Sequence, residues 1–188
     1  MTRRLPFRVE FYEHYLQTSR LRTASIGMAP FLAALSFLRQ EGDVYYDIVT
    51  DAGQQAAAWA LEGVGGWHRQ AWKWLPRRAR LRVALRLARR LAAEATPLTP
   101  CRVRVRRKQG RIHLEESPFC QVRTPAEAPL CGFYAAALSH FVEMLDLDVI
   151  VQHESCRAMG DAACEIAALP QPIGAAAATR EEGFRLEL

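Results

Sequence analysis

His153-Glu154-Ser155-Cys156-Arg157-Ala158-Met159-Gly160-Asp161-Ala162-Ala163-Cys164 sets two cysteines with seven residues between them across a glycine turn, and a histidine three positions upstream of the first. Asp148 to His153 predicts a strand, and Glu165 to Ala168 its antiparallel partner returning from the turn at Gly160-Asp161. The strand carries His153 and Cys156 to its end, and the turn returns Cys164 beside Cys156. Residues 131–145 predict a helix with Tyr134, Ala137, Leu138, Phe141 and Leu145 on its core side, which places Cys131 in its first turn. Cys131, His153, Cys156 and Cys164 can therefore converge on one point. Zinc suits that set, because it accepts thiolate and imidazole in a tetrahedron. Ordinary buried thiols are the alternative that spacing leaves open. Cys120, in the proline-bearing loop 117–130, either replaces His153 as fourth ligand or lies outside the group. Cys101, just ahead of a strand, reads as a core thiol.

Upstream, the periodicity changes twice. Residues 28–40 place Met28, Phe31, Leu32, Leu35 and Leu38 at helical spacing, and Val44 to Leu61 continues as a second helical stretch with Gly53 inside it. Gly63, Gly65 and Gly66 form a loop, followed by Trp67, Trp72 and Trp74, and Pro76 stops that segment. Residues 78–95 predict a helix, with Leu81, Ala84, Leu85, Ala88, Leu91 and Ala92 on one stripe and arginines on the other faces. From Arg102 the period becomes two: Val103 and Val105 share one face, and Arg102, Arg104 and Arg106 the other. Lys108-Gln109-Gly110 turns the chain into a second alternating run, 111–115, giving a hairpin with one basic face. Helices first, then a hairpin, a helix and a second hairpin, predict an α+β domain with helices packed on one face of an antiparallel sheet. Residues 1–27 read as an N-terminal extension (amphipathic and aromatic-rich over 7–22), 28–169 as the domain, and 170–188 as an alanine-rich tail.

The chain of 188 residues is half apolar, enough for a core without disulfide staples. Five cysteines, no hydrophobic signal core and no apolar run of membrane-spanning length predict a cytoplasmic protein with thiols kept for metal or structure. Residues 73–111 hold 14 of the 25 lysines and arginines and one acid, Glu94, a local charge of +13. A solvated face is the plain reading. Anionic ligand groups or an acidic protein partner come next. Nucleic acid comes last, since no helix-turn-helix or finger pattern is present.

Ser117-Pro118-Phe119-Cys120, Leu130-Cys131-Gly132-Phe133-Tyr134 and the 153–164 segment together resemble the 4-vinyl reductase domain family. That family includes the bacteriochlorophyll-biosynthesis J protein and the sensor domains of phenol- and toluene-responsive activators. The resemblance is strongest over 110–168, and Cys-x-x-x-Gly-Asp-x-x-Cys is its most specific part. It implies a fold similar to subunits of the TRAPP vesicle-tethering complex, the ligand-binding fold of NO-signalling and Golgi-transport proteins. It also implies a homodimer, and a metal held at the positions of Cys131, His153, Cys156 and Cys164. Family sensors often carry glutamate where His153 stands.

Four protein ligands would leave no open coordination position, so the metal would be structural. No glycine-rich phosphate loop, Gly-x-Ser-x-Gly elbow, nicotinamide motif or flavin motif is present. His14, His68, His113 and His140 are scattered and read as surface or packing residues. Asp161 is expected to serve the turn, and Glu154 to point away from its neighbours. The resemblance implies a pocket between helices and sheet for a hydrophobic or tetrapyrrole ligand, with Trp59, Trp67, Trp72, Trp74, Phe133, Tyr134 and Phe141 expected to line it. The expectation is therefore an accessory binding protein of pigment biosynthesis. An adaptor, or a reductase fed electrons by a partner, are the alternatives. A sensor-regulator is disfavoured, since the chain holds no ATPase or DNA-binding motif.

Overall fold

The computed structural model describes residues 28–95, 100–106 and 108–171. Helix α1 (Met28–Arg39) passes into α2 (Asp43–Glu62) through Gly42, whose φ of 63° is a left-handed conformation suited to glycine. The tryptophan-bearing stretch is itself a short helix, α3 (Gly66–Lys73), that begins at the last glycine of the expected loop. Pro76 then opens α4 (Arg77–Ala95), where its carbonyl accepts the first backbone bonds. The six stripe residues of α4 are all buried, as the helical spacing predicts.

Strands β1 (Cys101–Arg106) and β2 (Gln109–Leu114) form the first hairpin. Helix α5 (Gly132–Met144) leads to β3 (Val149–Ser155), which returns as β4 (Cys164–Pro170). The sheet order is β1-β2-β4-β3, with every neighbouring pair antiparallel. β4 therefore joins the two hairpins into one sheet, and the class is α+β. Alternation sorts the faces: Ile112, Leu114, Ile166 and Ala168 are buried against the helices, while Arg102, Arg104, Arg106 and Gln152 are exposed on the other side. Both strands of the second hairpin run past the expected ends, β3 to Ser155 and β4 back to Cys164.

Helix α4 lies over β1 and β2, α5 over β3, and α2 packs along α5. Two close approaches set these distances. Gly110 on β2 sits beneath α4, where an added Cβ would come within 2.6 Å of Leu85 Cδ1. Gly53 lets α2 press directly onto the backbone of α5 at Phe133. The expectations for residues 7–22 and for the tail beyond Gln171 fall outside the described residues. No described helix is long and apolar enough to cross a membrane.

Gly53→Ala tests the α2–α5 contact. Alanine favours an isolated helix by about 1 kcal/mol over glycine. Here its methyl would overlap the Phe133 carbonyl oxygen, which belongs to a rigid helix and cannot swing away. We expect a net loss of about 2 kcal/mol, read as a fall in Tm of roughly 4–8 °C; a raised Tm would show that the helices can separate freely.

Candidate metal centre

The sulfurs of Cys120, Cys131, Cys156 and Cys164 lie within 4.8 Å of one another, and all four residues are buried. Each arrives differently. On β3, His153 pairs with Ile166 and Ser155 with Glu165, so two steps on β3 match one on β4. That bulge resets the alternation and brings Cys156 into step with Cys164 on the helix-facing side. Between them, Arg157–Met159 form a 3-10 turn closed by Gly160 at φ 100°. The Asp161 carboxylate accepts the Cys156 N–H at 2.7 Å, fastening the turn as expected. Glu154 is exposed and pairs with Arg111 at 2.8 Å. Cys131 is the N-cap of α5.

Cys120 closes a second 3-10 turn, Pro118–Cys120, whose Ser117 hydroxyl accepts the Phe119 N–H at 3.2 Å. The Phe119 ring stacks on Phe133 at 5.0 Å and meets Phe31 and Tyr134 edge-on. Arg39 on α1 donates to the carbonyls of Phe119, Gln121 and Pro118 at 3.0, 3.2 and 3.3 Å. Loop 117–121 is thereby tied to α1 by charge-assisted bonds and to α5 by aromatic packing. Tyr45 on α2 donates its hydroxyl proton to the Leu130 carbonyl at 2.9 Å, just ahead of Cys131. Burial pushes its phenol pKa upward, which keeps that donor protonated.

Cys120 Sγ lies 3.5 Å from both Cys156 and Cys164, and Cys131 Sγ lies 3.6 Å from Cys156. Four sulfurs about 2.3 Å from one centre form a tetrahedron with edges of about 3.8 Å. The spacing thus suits a single ion. A polynuclear iron–sulfur cluster spreads its cysteines over different irons and needs more room. The thiols also polarise one another. S–H donation from Cys120 and then Cys131 pulls Cys156 and Cys164 below the ordinary thiol range. Cys131 is pushed up, foremost by its bond with Cys120. Cys120 is lowered by Cys131, but its bonds to Cys156 and Cys164, together with burial, outweigh this and raise it. The Arg157 N–H points at Cys164 Sγ from 3.4 Å, a further stabiliser of thiolate. Four buried cysteines with two favoured thiolates can hold a metal ion.

His153 is not in this group. It faces the helices opposite Ile166, one rung from Cys164, or about 7 Å along the strands. Its Nε2 is buried without a hydrogen-bond partner among the described residues. Cys120 supplies the fourth sulfur of the cluster instead. Cys101 stands apart on β1, with burial raising its pKa to about 11, which disfavours a reactive thiolate.

The seven aromatic residues expected around a ligand do not share one cavity. Trp67 and Trp74 are 78% and 83% exposed, and Trp59 is 41% exposed. Trp72 packs partly against the core, Tyr134 and Phe141 are buried in it, and Phe133 belongs to the cluster that holds Phe119. A groove of about 1080 Å³ opens elsewhere, between α1, the start of α2 and the loop after Cys120. Leu32, Arg39, Tyr45, Tyr46, Arg123 and Leu130 are among its walls. None of these was among the residues expected around a ligand, and a groove assembled from three separated segments leaves no periodic signal.

Residues 111–170 match the family model of the V4R domain, which bears out the resemblance over β2 through β4. The class this defines is an α+β domain whose residues 111–170 are similar to the V4R domain, a stretch that carries all four buried cysteines. A search of curated proteins matched none. Solved structures similar to this chain include the following two. The phenol-responsive sensory domain of the transcription activator PoxR, crystallised with phenol, is 13% identical, with 86% of this chain and 83% of that one covered and a TM-score of 0.49. A trafficking protein particle complex subunit 3 from Naegleria fowleri, covalently bound to palmitic acid, is 14% identical, with 87% and 93% covered and a TM-score of 0.47.

Metal analysis of single variants tests the ligand set. Cys120→Ser should abolish stoichiometric metal, whereas His153→Ala should retain about one ion per chain. The reverse pattern would put the histidine in the coordination sphere.

Proposed function

We propose that this protein is a zinc-stabilised small-molecule-binding domain whose ligand enters the groove between α1, α2 and loop 121–126. Cys120, Cys131, Cys156 and Cys164 are the proposed ligands. Four thiolates fill a tetrahedron, so the zinc would be structural, offering no position for substrate. A reducing compartment such as the cytoplasm keeps these thiols available. The V4R match and the groove's position support binding over catalysis.

The observation that carries this reading is the double duty of Arg39 and Tyr45. Both line the groove, and both hold backbone carbonyls of the segments that present Cys120 and Cys131. The metal centre thus shapes one wall of the groove. Its volume lies just above the usual range for ligand sites, roughly 300–1,000 Å³. Arg123 suits a carboxylate, while Leu32, Tyr46 and Val122 suit a flat apolar body. A tetrapyrrole with propionate groups, such as a bacteriochlorophyll precursor, has both features. The finer proposal is therefore an accessory protein that presents such a pigment intermediate to an enzyme.

Porphyrin titration followed by the Soret band tests the assignment. Protoporphyrin IX should bind the purified protein. Arg123→Glu should weaken it about tenfold, on the order of 1.4 kcal/mol, with metal content unchanged. Failure of protoporphyrin, chlorophyllide and small aromatic carboxylates alike would contradict the groove as a ligand site.

A further inference from the structure

Strand β1 is one edge of the sheet. A two-residue connection links Arg106 to its partner Gln109, so that closing pair exchanges both hydrogen bonds. Alternation then directs the N–H and C=O groups of Arg102, Arg104 and Arg106 toward β2, and those of Val103 and Val105 outward. No described residue bonds the backbone of Val103 or Val105 on that outer side. The opposite edge, β3, is broken by the bulge at His153–Ser155, a common way of blunting an edge. β1 has no bulge. Among the described residues, its one protection is charge.

That charge is incompletely balanced. Arg102 pairs with Glu115 at 2.9 Å, and Arg111 with Glu154. Arg104 stands directly opposite Arg111, a like-charge cross-strand pair, and neither Arg104 nor Arg106 has an acidic partner among the described residues. Arginines two residues apart on one face recur every ~7 Å, matching alternate side chains of another extended chain. Pairing of β1 with a second copy of itself would set arginine against arginine. An acidic strand would instead relieve the Arg104–Arg111 repulsion.

We propose that the β1 edge accepts an extended acidic peptide as a fifth strand. Backbone bonds would form to Val103 and Val105, and carboxylates would lie beside Arg104 and Arg106. Small apolar side chains of the same peptide would face Val103 and Val105, which are only half-buried. Nucleic acid also seeks arginine, but it has no use for outward-facing strand N–H and C=O groups at this spacing.

The test is fluorescence anisotropy with the full chain and a fluorescein-labelled heptapeptide alternating glutamate and valine. The controls are the same peptide fully N-methylated and a (dT)20 oligonucleotide. Val103→Pro removes one outward N–H while sparing the β2 pairing, a change that edge strands tolerate. The plain peptide should bind at least about tenfold tighter than its N-methylated form. Val103→Pro and Arg104→Glu should each weaken it by about tenfold. Equal affinity for the N-methylated peptide, or no binding of the plain one, overturns the proposal. Loss confined to Arg104→Glu, with (dT)20 binding more tightly than peptide, overturns it in favour of a nucleic-acid surface. Should Val103→Pro lose its native melt, the N-methylated comparison still decides.

Discussion

Burying four cysteine sulfurs in one small space makes sense only if something repays the crowding. Thiols at 3.5–3.6 Å are weak donors and acceptors, and those that ionise repel one another. A tetrahedral cation reverses the balance, turning mutual repulsion into four shared bonds. It would join loop 117–121, the start of α5 and the ends of β3 and β4. β3 and β4 already share a backbone ladder, and the loop meets α5 through Phe119; the ion would tie these two pairs to each other. Metal binding to such a site can match the whole stability of a domain, about 10–16 against 5–15 kcal/mol. The cysteine turns, the bulge and the aromatic clamp around Phe119 all serve that convergence.

The groove inherits its shape from the same point. Arg39 grips three carbonyls around Cys120, and Tyr45 grips the carbonyl before Cys131. Displacing either cysteine would shift the wall that those side chains form. The groove and the cysteine cluster are therefore coupled by hydrogen bonds within one wall. Occupancy of one should alter the rigidity of the other, a linkage that works in both directions.

Much of the fold was legible because it rests on periodicity. The α4 stripe and the Arg–Val alternation of β1 are local patterns, and each element lies where its pattern predicts. The fourth sulfur was harder to place. His153 sits at a familiar spacing from Cys156, but the bulge adds a residue between them and leaves the imidazole a rung away. Cys120 comes from a loop without periodicity. Its only local sign is Ser117-Pro118, a turn starter that says nothing of what the turn presents. Aromatic residues misled for a related reason: sequence shows their number but not their direction. Trp67 and Trp74 point to solvent, while Tyr134 and Phe141 fill the core beneath α5.

X-ray absorption at the zinc edge tests the central claim most directly. Protein purified without added metal should show four sulfur neighbours at about 2.3 Å and no light-atom neighbour. Three sulfurs with one nitrogen near 2.0 Å would instead place His153 in the coordination sphere. Protein that is folded and metal-free would contradict the account outright.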